Sequence, residues 1–207
     1  MKTPSIALMA NGSCDAHEDT LRKVKTWIAV DGGLKHCIQF NLTPQIYVGD
    51  LDSATEEDLA KFPSIERHIF PKDKDRSDLE LALELAFSMT SETLPIFGAL
   101  GGRTDHLLYN LFLLSRFPNQ LRYISQNEVV FAIEKQITIS SSPGMTLSLM
   151  PLGHPAKGVT SQGLQYELKD AILDTNFLSL SNVALSTEVT INIAQGSLIC
   201  FLENTLS

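Results

Sequence analysis

Ile46-Tyr47-Val48-Gly49-Asp50-Leu51-Asp52-Ser53 is the stretch on which the reading of this 207-residue chain turns. Ile46, Tyr47 and Val48 read as a buried strand that Gly49 ends. Asp50 and Asp52 follow two residues apart, a spacing that in an extended chain points both carboxylates the same way. Paired carboxylates at a strand's carboxyl end sit where open α/β sheets bind ligands. Two anions that close repel each other and are costly to desolvate unless a cation joins them. An oxygen-loving divalent metal such as Mg²⁺ is the natural third member. The other reading is a solvated Asp-rich turn in which Ser53 or Thr55 caps the next helix. For this stretch alone the turn is the better account, since Asp-x-Asp is common. The acidic motifs downstream reverse the balance.

Working outward, residues 5–10, 26–30, 45–48, 94–97 and 121–125 read as short apolar strands. Between them, residues 18–24 and 34–40 read as helices, and Thr55-Glu56-Glu57-Asp58 as a helix start with an acidic first turn. Ser77-Asp78-Leu79-Glu80 is a capping box, and its helix should run to about Met89. Leu79, Ala82, Leu83 and Ala86 give that helix one apolar face, widened by Leu81 and Leu85. A further helix is expected to carry Leu107, Leu108, Leu111, Phe112 and Leu114 inward and to end at Pro118. Strands alternating with helices imply βαβ units and a mainly parallel sheet. Past Gln126-Asn127 the pattern changes to short alternating runs at 130–133, 137–139, 146–150, 189–193 and 198–202. Ser142-Pro143-Gly144 and Gln195-Gly196 punctuate them. The expectation is an α/β domain over residues 1–126, with a mainly parallel sheet flanked by helices, and a small all-β sandwich or barrel over 127–207.

An apolar content of 43% with 19% charged residues fits an ordinary globular protein with a sizeable core. The net charge of −8 argues against a broad nucleic-acid or membrane footprint, while local Lys and Arg still allow a phosphate ligand. Cys14, Cys37 and Cys200 are far apart and lack metal-ligand spacing, which reads as a reduced cytoplasmic thiol set. The apolar run after Met1-Lys2-Thr3-Pro4 is too brief for a signal peptide, and no stretch approaches a membrane span.

Asp31-Gly32-Gly33 follows the second strand as Asp50 follows the third. It reads as a tight strand-to-helix turn, or as a place where Asp31 meets metal or substrate. Pro71-Lys72-Asp73-Lys74-Asp75-Arg76-Ser77-Asp78 interleaves both charge signs before a helix amino terminus, an end that attracts anions. There Lys72, Lys74 and Arg76 are candidates for phosphates, and Asp75 or Asp78 for the bridging metal; a solvated loop is the even alternative. Gly98-Ala99-Leu100-Gly101-Gly102-Arg103 is a Gly-rich strand-to-helix loop that is neither a Walker A loop nor a dinucleotide fingerprint. Arg103 has the planar fork suited to phosphoryl charge. His106 reads as a structural histidine, and no Ser/His/Asp or Cys/His nucleophile set is suggested.

Taken in order, these motifs resemble the thiamine pyrophosphokinase family. The likeness is carried by Asp31-Gly32-Gly33, Gly49 to Ser53, Lys74 to Asp78, and Gly98 to His106 with Asn110 following. Residues 159–166 and Leu180-Ser181-Asn182 are similar to the family's thiamine-binding β domain. The departures are Ser77, where the family usually has Thr, and Tyr166, where members carry Trp or Tyr.

The resemblance implies transfer of the pyrophosphoryl group from ATP to the hydroxyl of thiamine, giving thiamine diphosphate and AMP. It implies Mg²⁺ on Asp50, Asp52 and Asp78, with Arg103 and Asp105 completing the catalytic set and Asp105 accepting the hydroxyl proton. Asp31, Lys74, Asp75, Ser77, Gly101 and Gly102 would bind the nucleotide, and Tyr166, Ser181 and Asn182 the thiamine. A homodimer with active sites between subunits is also implied. The rival readings are a pyrophosphokinase acting on a pterin alcohol and a non-catalytic nucleotide-binding sensor.

Overall fold

The chain divides into two units: residues up to Leu107 together with Arg122–Gln126, and Leu108–Leu121 together with Asn127 onward. The computed structural model describes residues 4–204, so Met1, Lys2 and Thr3 of the amino-terminal expectation lie outside the described residues.

In the first unit, β1 (Ile6–Met9), β2 (Thr26–Val30), β3 (Ile46–Gly49), β4 (Glu66–Ile69), β5 (Leu94–Phe97) and β6 (Leu121–Ile124) lie in the order β6-β5-β1-β2-β3-β4. The β5–β1, β1–β2, β2–β3 and β3–β4 pairs are parallel. A parallel pair needs a crossover, and α1 (Glu18–Leu21), α2 (Gly33–Gln39), α3 (Glu56–Ala60) and α4 (Asp78–Met89) supply it. β1, β3 and β5 are buried along their whole length and β2 from Trp27 on, which is why they read as apolar runs. Ala7, Met9, Ala29, Tyr47 and Phe97 pack with Leu21, Leu34, Cys37 and Leu59 from the first three helices. α4 packs on β2 and β3 with Leu79, Ala82, Leu83 and Ala86 buried. The expected capping box forms between Ser77 and Glu80, and the expected helix start at Thr55 closes as a second box with Asp58.

β4 carries no apolar signature because it is an edge strand: Glu66, Arg67 and Ile69 face solvent. The helix α5 (Thr104–Arg116) corrects one expectation. Leu113 and Leu114 are buried, but Leu108 and Phe112 are 49% and 44% exposed. Apolar residues occupy more than one stripe of this helix, so spacing alone could not say which stripe turns inward.

The second unit is built on one long antiparallel ladder between sequence-distant strands, β7 (Glu128–Ser140) and β12 (Glu188–Glu203). Asn192 pairs with Gln136 and Ser197 with Glu134, so residues 193–196 stand opposite Lys135 alone. This bulge bends the ladder, and its halves serve different neighbours. The first half of β12 pairs with β9 (Ala156–Gln162), which pairs with β10 (Ala171–Leu173). The second half pairs with β8 (Thr146–Met150), which pairs with β11 (Ser179–Val183). Phe131, Ile133, Leu147, Leu149, Val159, Leu173, Ile191 and Leu198 share the resulting core. All these pairs are antiparallel, as expected for a sandwich with corners made by bulged strands.

Gly196 sits at the bend with φ 88°, and a Cβ there would stand 2.7 Å from the Pro155 carbonyl oxygen. Gly196→Ala should therefore cost roughly 2–3 kcal/mol, combining a left-handed backbone with a backbone clash. Urea unfolding measures it, and an unchanged midpoint would mean that the bend tolerates a side chain.

Candidate active site

Parallel strands bring all their carboxyl ends to one edge of the sheet, and the functional candidates of the first unit gather there. Asp31 follows β2 and Asp50 follows β3, and the Asp31 backbone N–H donates to the Val48 carbonyl at 2.8 Å. One carboxylate oxygen from each of Asp31, Asp50 and Asp52 lies within 4.8 Å of the others. An extended chain does not achieve this. Leu51 has φ 66°, and the Asp52 N–H donates to Asp50 Oδ1 at 3.1 Å, so a tight turn folds the two carboxylates together. Asp31 is also left-handed, at φ 46°. Two non-glycine residues in that region beside one carboxylate cluster mark backbone strain held at a site.

The cluster is supported by neutral donors as well as cations. Asn11 Nδ2 donates to Asp31 Oδ2 at 3.3 Å, the Ser53 N–H to Asp31 Oδ1 at 3.3 Å, and Ser53 Oγ to Asp52 Oδ1 at 2.9 Å. Lys74 Nζ lies 3.3 Å from Asp50 Oδ2, 3.2 Å from Asp78 Oδ1 and 3.0 Å from the Pro71 carbonyl. Lys72 reaches Asp52 at 4.0 Å. Asp78 thus meets the cluster through Lys74, standing outside the three-carboxylate group.

Burial opposes the Asp50 charge, but the Asp52 N–H and the Lys74 ammonium overcome it and hold the carboxyl below its usual range. Asp78 goes the other way: burial pushes it up, helped by Asp50 and Asp31, and Lys74 only partly offsets this. Burial also works against the Lys74 charge, yet Asp78 and Asp50 raise its pKa above the ordinary value.

The remaining candidates are more open. Arg103 and Asp105 form an exposed bidentate pair at 3.1 and 2.7 Å, and each stabilises the other's charge. Asp75, Gly101, Gly102 and His106 are exposed, while the Ser77 hydroxyl is taken up by its capping bond to the Glu80 N–H at 3.2 Å. The loop holding Gly98 is zipped to the loop after β1: the Gly12 N–H donates to the Gly98 carbonyl at 2.6 Å and the Ser13 N–H to that of Leu100 at 3.0 Å. His36 Nε2 meets the Gly12 carbonyl at 2.7 Å. Sequence reasoning passed over Asn11 and His36; a polar residue following the first strand was the available signal for Asn11.

In the second unit Tyr166 is 67% exposed, and Ser181 is exposed with φ 50° in an irregular stretch of β11. Asn182 is buried. Its Oδ1 accepts from the N–H groups of Tyr166 and Val183, and its Nδ2 donates to the Tyr166 carbonyl at 2.8 Å. The amide is occupied in framing the Tyr166 backbone on both sides, so it has little left to offer a ligand.

The family model described as thiamin pyrophosphokinase, catalytic domain, matches residues 17–125, and that described as thiamin pyrophosphokinase, vitamin B1 binding domain, matches residues 134–198. The chain belongs to the thiamine pyrophosphokinase family. A thiamine pyrophosphokinase of Bacillus subtilis is 29% identical over 189 residues, covering 84% of this chain and 85% of that one. The solved thiamine pyrophosphokinase structure from Bacillus subtilis superposes with a TM-score of 0.84 at 25% identity, covering 98% of this chain and 100% of that one. The thiamin pyrophosphokinase structure from Geobacillus thermodenitrificans gives 0.83 at 25% identity, covering 98% of each chain. The catalytic-domain match takes in Asp31, Asp50, Asp52, Lys74 and Asp78, and the vitamin B1 match takes in Tyr166 and Asn182.

Lys74→Met removes the cation between two poorly exposed carboxylates. It should destabilise the chain by roughly 2–3 kcal/mol at pH 7, somewhat below the cost of breaking a fully buried pair. The sign with pH follows from linkage. In the native protein the depressed Asp50 contributes stability above its usual pKa that is lost as pH falls. In the variant both carboxyls rise, so protonation favours the folded state and the deficit should shrink between pH 7 and pH 5. Urea melts at the two pH values check it, and a deficit independent of pH would show that Lys74 does not hold these charges.

Proposed function

We propose that this chain transfers the pyrophosphoryl group of an ATP–Mg²⁺ complex to the hydroxyl of thiamine, releasing thiamine diphosphate and AMP. The observation that carries this reading is the three-carboxylate cluster with its lysine bridge, on a chain of the thiamine pyrophosphokinase family. Pterin-alcohol transfer and non-catalytic sensing are not favoured, because both family models describe thiamin pyrophosphokinase.

The donor set suits a hard cation: oxygen ligands only, with more negative charge than Lys72 and Lys74 offset. Asp31, Asp50 and Asp52 would hold it, with Asp78 at the far side of Lys74. When bound, Mg²⁺ supplies neutralisation of charge on the phosphate oxygens. The chain's own contribution is alignment. Lys74, tethered by Asp50, Asp78 and Pro71, presents its ammonium at a fixed point, so little ordering is left for phosphate binding to supply. Exposed Arg103 is free to exchange Asp105 for a phosphate, a bidentate acceptor of the same kind. The thiamine oxygen bonds to the β-phosphorus as the bond from that phosphorus to the bridging oxygen breaks, and AMP leaves with the oxygen. Asp105 is a poor acceptor for the hydroxyl proton, because Arg103 holds its carboxyl below the usual range. Asp78, with its raised pKa, is the better one.

In this reading residues 1–126 form the catalytic domain and 127–207 the thiamine-binding domain. Tyr166 offers its exposed ring to the thiamine pyrimidine, Ser181 a hydroxyl, and Asn182 acts by holding Tyr166 in place. The working form would be a cytoplasmic homodimer with active sites between subunits. The three free cysteines are in keeping with a reducing compartment, and among the described residues no helix is long and apolar enough to cross a membrane.

Purified protein incubated with ATP, Mg²⁺ and thiamine should form AMP and thiamine diphosphate in equal amounts; thiamine-independent ADP release would overturn the reading. Asp52→Asn should lower kcat at least about 100-fold, since metal charge stabilisation is worth several kcal/mol, while the melting temperature stays close to that of the parent. Asn182→Ala should raise KM for thiamine with little change in KM for ATP, and equal rises in both would remove the assigned role.

A further inference from the structure

One polar atom beneath the cluster has no partner. The Tyr47 ring is fully buried among the core of the first unit, on the same face of β3 as Gly49. Its hydroxyl reaches over Gly49 toward the carboxyl edge. A Cβ added to Gly49 would stand 2.6 Å from the Tyr47 hydroxyl and 3.1 Å from the Asp31 Cα, so phenol tip, glycine and Asp31 backbone share one small space. The hydroxyl is out of reach of solvent, and its O–H finds no acceptor among the described residues; the Leu51 N–H faces its oxygen without closing a hydrogen bond of ordinary geometry. Burial pushes its pKa above the ordinary value, the Asp31 charge adds to this, and the Leu51 N–H only partly offsets it. The group is a neutral O–H donor close to the Asp31 backbone and within the field of Asp31, Asp50 and Asp78.

A buried hydroxyl left unpaired is costly, so one that persists calls for an account: local strain, an ordered water or ion, or a role in a neighbouring site. We propose that Tyr47 is a positioning residue for the carboxylate cluster, its hydroxyl donating to the Asp31 carboxylate when a divalent cation is held there. Asp31 has the capacity: its two oxygens take only single long bonds from Asn11 and Ser53, and a carboxylate accepts about four. Hydrogen-bonding the outer lone pairs of a metal-binding carboxylate fixes its orientation, and removing such a support typically weakens metal binding about 10–100-fold. The inference rests on the proposed reading of Asp31, Asp50 and Asp52 as a cation site.

The test uses the full chain and Mn²⁺ alone, with bound and free ion separated by electron paramagnetic resonance, for the parent, Tyr47→Phe and Asp52→Asn. Thermal melting of each is followed with and without the ion. Tyr47→Phe keeps the ring and removes only the oxygen. It should melt at or above the parent temperature without metal, bind Mn²⁺ about 10–100-fold more weakly, and gain less from added Mn²⁺. In an Asp31→Asn background the same substitution should add little further loss. Parent-like Mn²⁺ affinity for Tyr47→Phe, with Asp52→Asn impaired, would overturn this inference and leave the cation site standing. A lower melting temperature of Tyr47→Phe without metal would assign the hydroxyl to the fold instead. Failure of the parent itself to bind Mn²⁺ would overturn the cation-site reading and this inference with it.

Discussion

Three carboxylates within 4.8 Å of one another repel, and much of the carboxyl edge of the parallel sheet is organised around holding them there. The means are local and specific. Two non-glycine residues adopt left-handed backbone, a turn closes through the Asp52 N–H, Asn11 and Ser53 donate to Asp31, and one lysine stands between Asp50 and Asp78. None of this lowers the energy of the isolated fold as far as an apolar edge would. The rigid strands beneath bear the strain, since β1 to β3 and β5 are almost wholly buried and cannot yield individually.

Lys74 shows how stability and chemistry are joined. Its ammonium is hemmed in by two carboxylates and a carbonyl, which fixes a flexible side chain; in the proposed function little rotamer freedom is then left to lose when a phosphate binds. The same confinement separates the two acids electrostatically: the Asp52 N–H and Lys74 hold the Asp50 pKa below its usual range, while burial holds that of Asp78 above it. Neighbouring carboxyls driven apart in this manner are a common way for one site to hold charge and move protons together. The second unit uses neutral hydrogen bonds to similar effect, with a buried amide of Asn182 bracketing an exposed tyrosine.

What the amino-acid sequence disclosed depended on whether the signal was local. Strands buried on both faces announced themselves as apolar runs, and the Ser77–Glu80 and Thr55–Asp58 caps were legible because each is a contact over three residues. β4 was not legible, because an edge strand with charged residues has no apolar period. β12 looked like two strands, since Gln195-Gly196 carries a turn signal and only the pairing with β7 shows that the chain runs on through a bulge. Asp31, Asp50 and Asp52 stood out because each follows a strand end. Their actual juxtaposition depends on the left-handed Leu51, which nothing in its side chain foretells. The roles of Asn11, His36 and Tyr47 arise from contacts across strands far apart in the chain, which no short window contains.

The bent ladder of the second unit has a consequence for how that unit comes into being. Its spine is the last strand, β12, which pairs with β7, β8 and β9, so neither sheet can be completed from the preceding strands alone. During synthesis those strands must wait, with their apolar faces unprotected, until β12 has left the ribosome. Assembly is then a late and concerted event in which one arriving segment closes both layers together, and loop-closure entropy makes such distant pairings slow. Chains that stop within β12 would be clients for chaperones and proteases, even with every aspartate of the first unit intact.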